Sequence, residues 1–127
     1  MTRTVRSAFS RRMRSAACQH LPVTLELSER WWGLDDTSEP AEAKRAAVLR
    51  ELNAEASADH ALTGRIAEVT AFFEASDDVV VRLIDGAFAL VHPTWSGRTE
   101  TPPFPLTRLL GDGPAASRAI ATWEESW

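Results

Sequence analysis

The sequence predicts an α+β domain: a small antiparallel sheet of three to five strands, with helices over about 39–56 and 114–126 packed on one of its faces. Three observations carry this. Two β-branched, apolar runs, 79–84 and 87–92, flank Asp85-Gly86, a dipeptide suited to a tight hairpin. Pro40 follows Thr37-Ser38-Glu39 and precedes a long stretch free of Gly and Pro. Pro114 follows Asp112-Gly113 and opens a segment in which Ala116, Ile120, Trp123 and Trp127 recur at helical spacing.

Each element has a local reason. Residues 22–28 alternate Val23, Leu25 and Leu27 with Thr24, Glu26 and Ser28, the period of a half-buried strand. The first helix starts at Pro40 because a proline at the first turn loses no intrahelical bond. Ser38 or Thr37 caps it, and Glu39 and Glu42 complement its dipole. Val48, Leu49, Leu52 and Ala56 form its apolar face. Residues 65–73 fit either period; a strand is expected, since an isolated hairpin is only marginally stable. A two-residue turn at Asp85-Gly86 would set Leu83 opposite Phe88 and Val79 opposite His92, with Val79, Val81, Leu83, Phe88, Leu90 and His92 towards the core. Residues 106–110 supply an edge strand, and Asp112 or Gly113 caps the last helix.

Charge divides the chain of 127 residues. Arg3, Arg6, Arg11, Arg12 and Arg14 stand in a first stretch of 25 residues without a carboxylate; the remainder holds nine basic and eighteen acidic residues. Residues 1–20 therefore read as a basic, poorly ordered arm, and 21–127 as one domain. An acidic body disfavours broad contact with nucleic acid or anionic lipid, so either would bind through those five arginines. No apolar run approaches the length of a membrane span. Thirteen arginines against the single Lys44, with twenty alanines, suggest a GC-rich bacterial gene. The lone Cys18 excludes an internal disulfide framework and suits a reducing cytoplasm.

The sequence offers no signature of a catalytic centre or cofactor. His20, His60 and His92 lack the paired spacing of zinc ligands. There is no nucleophile elbow and no phosphate-cradling lysine motif. The adjacent acids Asp35-Asp36, Asp77-Asp78 and Glu124-Glu125 read as solvated loop and helix-end charges.

The segment His92-Pro93-Thr94-Trp95-Ser96-Gly97-Arg98 holds an imidazole, an indole, hydroxyls and a guanidinium at the end of a rigid hairpin. Glu100 is placed to pair with Arg98, and Trp31-Trp32 is a further anchor in which alternation buries one indole and exposes the other. Trp31, Trp32, His92, Trp95, Arg98 and Glu100 are the expected binding residues. The expected function is a non-catalytic module acting through a protein partner or by self-association; the alternative is a small-molecule site or small enzyme around 92–100. The run D-D-V-V-V-R-L-I-D-G-A-F-A-L-V-H-P-T-W-S-G from Asp77 to Gly97 resembles an uncharacterised family of small bacterial proteins with a DDV, DG-turn and VHxTWxG core. The resemblance spans about 45–110 and implies a compact domain around the hairpin, with no known activity. Pro93 stands where that pattern has an apolar residue.

Overall fold

The computed structural model describes residues 2–4, as backbone, and residues 25–127. Two short strands, β1 (Thr2–Thr4) and β2 (Glu26–Ser28), pair antiparallel. β3 (Trp31–Trp32), β4 (Ile66–Phe73), β5 (Val79–Leu83), β6 (Phe88–His92) and β7 (Leu106–Gly111) form an antiparallel sheet in chain order. The helices are α1 (Glu39–Glu55), between β3 and β4, and α2 (Gly113–Glu124), after β7. The α+β class, both helices, the strand over 65–73 and the edge strand at 106–110 are as expected. Of the strand expected over 22–28, Glu26–Ser28 is formed and pairs with Thr2–Thr4, Leu25 is outside it, and residues 22–24 lie outside the described residues. Residues 5–24, with most of the expected arm, lie outside the described residues.

Local chemistry fixes both helix starts. The Ser38 hydroxyl accepts from the Ala41 N–H at 3.4 Å, and the Asp112 carboxylate accepts from the Ala115 N–H at 3.0 Å. Of the two caps open for each helix, Ser38 and Asp112 are the ones used.

The hairpin differs from expectation by one residue. Val79 pairs with Val91, Val80 with Leu90, Val81 with Ala89 and Arg82 with Phe88. The Leu83 N–H donates to the Ala87 carbonyl at 2.8 Å, so Ile84-Asp85-Gly86 is a three-residue loop. Gly86 alone takes a positive φ, +91°, as a one-residue bulge after a type I turn requires. Asp85 helps to close the loop by accepting from the Ala87 N–H.

The helices also do not share a face. Val79, Val81, Leu83, Ala89 and Val91 pack with Val48 and Leu52 of α1. Val80, Phe88 and Leu90 pack instead with Ala116 and Ile120 of α2. Each β5 residue apart from Arg82 is buried, because a sheet covered on both sides has no solvated row. The register shift separates Leu83 from Phe88 and gives each helix a matched row. β4 follows with two irregularities, at Ala67 and Thr70, so Phe72 faces α1 and Phe73 faces α2.

α2 is tied to the start of the sheet through Glu124. Its carboxylate accepts from Trp31 Nε1 at 2.6 Å and from the Ser28 hydroxyl at 2.8 Å, so it is not a merely solvated end charge. Trp31, Phe73, Trp123 and Trp127 form one aromatic cluster with neighbouring centroids 4.9–5.9 Å apart. Trp127, spaced to continue the stripe of Ala116, Ile120 and Trp123, lies beyond α2 at the cluster's rim and is more than half exposed.

Gly33 and Gly86 separate two effects. Both have φ +91°, but a Cβ on Gly33 would lie 2.7 Å from the Phe72 ring, whereas one on Gly86 would meet open space. Gly86→Ala is expected to lower stability by about 1–2 kcal/mol, the left-handed penalty alone. Gly33→Ala should lose more, because Phe72 must also shift. Urea unfolding of the two variants measures the difference.

Candidate functional site

The loop that follows β6 is built onto the end of α1. Helix C-termini leave carbonyls without partners, and α1 has neither a glycine after it nor a basic residue in its last turn. The loop supplies the donors: the Glu100 N–H bonds the Glu55 carbonyl at 2.8 Å, and the Thr99 hydroxyl the Ala54 carbonyl at 3.3 Å.

Side chains of α1 complete the attachment in the opposite sense. Glu55 is 0% exposed. Its carboxyl accepts from the Thr94 N–H at 2.9 and 3.1 Å and from the Trp95 N–H at 2.8 Å. Glu51, one turn earlier, accepts from the Gly97 N–H at 2.8 Å. Two glutamates at i and i+4 repel when both are charged. Burial, followed by the hydrogen bond to Glu51, raises the Glu55 pKa, while the same bond and the Gly97 N–H lower that of Glu51. The two carboxyls are thereby shifted in opposite directions, Glu55 towards its neutral form and Glu51 towards its charged form. Sequence reading missed Glu55, although it stands seven residues after Val48 and three after Leu52, on the buried stripe.

This attachment holds Trp95 in an unusual state. Its φ is +59°, a left-handed conformation that costs a non-glycine residue roughly 1–2 kcal/mol. The indole is 45% exposed. Around it the loop bonds to itself: the Thr94 hydroxyl donates to Glu100 at 3.0 Å and accepts from the Ser96 N–H at 3.2 Å. Bonds from Ser96 and Thr94, and more weakly the Arg98 charge, hold the Glu100 carboxyl below its ordinary range. The expected Arg98–Glu100 ion pair does not form, because Glu100 is turned to the loop hydroxyls; Arg98 is exposed.

His92 lies at the end of β6, opposite Leu106. It was expected in register with the core face; the strand alternation does carry it to the side of Leu90, but at the last residue of β6 it is exposed. Its Nδ1 is 3.2 Å from Asp78 Oδ1. Asp78 is buried and also bonds the Ser76 hydroxyl, so only Asp77 of that pair is solvated. The carboxylate behind Nδ1 orients the ring and leaves Nε2 towards solvent, as a hydrogen-bonding or proton-accepting group needs.

The structure does not bring Trp31 and Trp32 to this site. Trp31 is 0% exposed, inside the α2 layer. Trp32 is half-buried against Phe72, with centroids 4.8 Å apart, and Lys44 lies over its ring. Both strand faces are covered, so alternation exposes neither indole. A groove of about 450 Å³ lies elsewhere, between β2 and α2, lined by Glu26, Ser28, Arg30, Arg118, Glu124 and Glu125. Among the described residues no group of three or more His, Cys, Asp or Glu is arranged to hold a metal ion, and no helix is long and apolar enough to cross a membrane. His60 is structural: Nδ1 accepts from the Leu62 N–H at 3.0 Å, so Nε2 carries the hydrogen and donates to the Pro105 carbonyl at 2.9 Å.

Glu55→Ala leaves the Thr94 and Trp95 N–H groups without acceptors and should lower stability by about 1–3 kcal/mol, with faster amide exchange at both residues. Glu55→Gln keeps an acceptor and should lose much less. The raised Glu55 pKa makes the folded state hold a proton that the unfolded chain releases near pH 4.3, so stability should fall as pH rises from about 4.3 through the Glu55 value. Glu51 and Glu100, with lowered values, contribute stability above about pH 4.3 that is lost on acidification. Glu55→Gln should abolish the fall on the alkaline side and keep the loss on the acid side, as read by urea unfolding across that range.

No protein-family model, curated protein or solved structure matches the chain.

Proposed function

We propose that the domain is a recognition module that binds a protein partner through the 92–100 loop, with Trp95 as the anchor. One observation carries this reading: a buried glutamate is used to fix a tryptophan in a strained backbone with its side chain close to half in solvent. Strain of this kind persists only where surrounding structure enforces it, and it concentrates at working sites. Tryptophan and arginine are the side chains that anchor interfaces most often. Arg98 and His92 flank the indole in sequence with exposed polar ends, which gives an apolar centre with a polar rim. The acidic body suits a basic partner surface, and the lone Cys18 suits a cytoplasmic setting in a bacterial cell.

A second reading has one observation in its favour, the Asp78-oriented His92. It makes the loop a small-molecule or catalytic site with His92 Nε2 as the proton acceptor. That reading requires His92→Ala to abolish ligand binding while Trp95 variants retain it.

Two measurements test the first reading. Trp95→Gly and Trp95→Ala remove the same indole, but only glycine relieves the left-handed backbone. Trp95→Gly should be more stable than Trp95→Ala by about 1 kcal/mol. In affinity capture from the native host with the full chain as bait, a partner should be held by the wild type and by Ile84→Ala, which alters a distant exposed side chain. It should be lost with Trp95→Gly. No partner above background, or equal capture by Trp95→Gly, overturns the reading.

A further inference from the structure

The open edge of the sheet at β7 is a second surface, separate from the Trp95 anchor. Among the described residues the β7 backbone bonds only to β6, so alternate N–H and C=O groups point outwards along Leu106–Leu109. Sheet edges are commonly guarded by lysine, proline, bulges or covering segments. β7 contains neither lysine nor proline, and its one register irregularity lies at the far end, beside Gly111. Leu106 is 46% and Leu109 57% exposed, on opposite faces of the strand, with the exposed Phe104 just before it.

Charge selects the occupant. The stretch from Thr101 to Gly111 has no carboxylate and one charge, Arg108, on a body that is otherwise strongly acidic. Two copies of such a body repel one another wherever carboxylates face carboxylates. The β7 edge is where they can meet without that opposition. An antiparallel edge is also its own complement: a two-fold axis normal to the sheet pairs β7 with itself and keeps each face on its own side. Centring on Thr107 sets threonine against threonine and lays Leu106 along the aliphatic stem of Arg108 in the second copy. Arg108 does not then oppose itself.

We infer that the chain self-associates through β7, joining two five-stranded sheets into one continuous sheet. In the pair Leu106 is covered by Arg108 of the second copy, and the outward N–H and C=O of Thr107 gain partners. A single six-residue edge is a small interface, so the association is reversible and depends on concentration.

Sedimentation of the full chain from about 5 µM to about 0.5 mM, spanning the weak end of interface strength, should show the mass rising from 14.0 kDa towards twice that value. The double variant Leu106→Lys, Leu109→Lys should stay at the monomer mass with an unchanged circular dichroism spectrum. In the wild type, alternate β7 amides should exchange about tenfold more slowly at the high concentration than at the low one, and β3 amides should not change. A wild type that stays at 14.0 kDa throughout, or a folded double variant that still associates, overturns the inference. If the double variant fails to fold, the β7 amides decide: exchange independent of concentration overturns it. None of these outcomes depends on Trp95.

Discussion

The structure rests on the burial of both faces of β5 and β6. Val79, Val80 and Val81 are each buried, and successive residues of a strand point to opposite sides. A run of this kind cannot be served by a single helical layer. It requires α1 on one side and α2 on the other, and α2 must then be reached through β7. The antiparallel order β3-β4-β5-β6-β7 places the chain so that each helix has a row to cover. The two-fold count of irregularities in β4 keeps Phe72 and Phe73 on the correct sides as the sheet twists past the hairpin.

The candidate site is a by-product of that layering with an added device. α1 ends where β6 ends, so its C-terminal carbonyls and the loop after β6 meet and satisfy one another. Glu55 turns this necessity into a constraint on conformation. A carboxyl that accepts from two successive backbone N–H groups admits few loop shapes, and the shape selected puts a tryptophan in the left-handed region. The opposite pKa shifts of Glu51 and Glu55 lessen the repulsion between the two carboxyls that hold the loop.

Local chemistry was legible from the residues alone. Ser38 with Pro40, Asp112 with Pro114, and Asp85-Gly86 each act within a few positions, and all three mark the element boundaries they suggest. The register of the hairpin was not legible, because Asp-Gly fits a two-residue turn and a three-residue loop equally well. The choice is made by rows of side chains far away in sequence. The same applies to Trp31 and Trp32, whose burial depends on α2 closing over one side of the sheet and α1 over the other. Glu55 was hidden by its type: a glutamate is read as a solvated residue unless its place on the stripe of Val48 and Leu52 is given more weight than its charge. The 92–100 loop was found from its composition, but its attachment to α1 was not.

The aromatic cluster has an optical consequence. Trp31 and Trp127 each stand within coupling distance of Trp123, and all three of Phe73, whereas Trp95 belongs to a solvent-facing loop. Coupled indoles in fixed orientations give near-ultraviolet circular dichroism that vanishes when the layers separate. A half-exposed indole is reached by soluble quenchers and shifts its emission when it is covered. The protein thus carries two intrinsic reporters in one residue type, one for the integrity of its core and one for the occupancy of its surface.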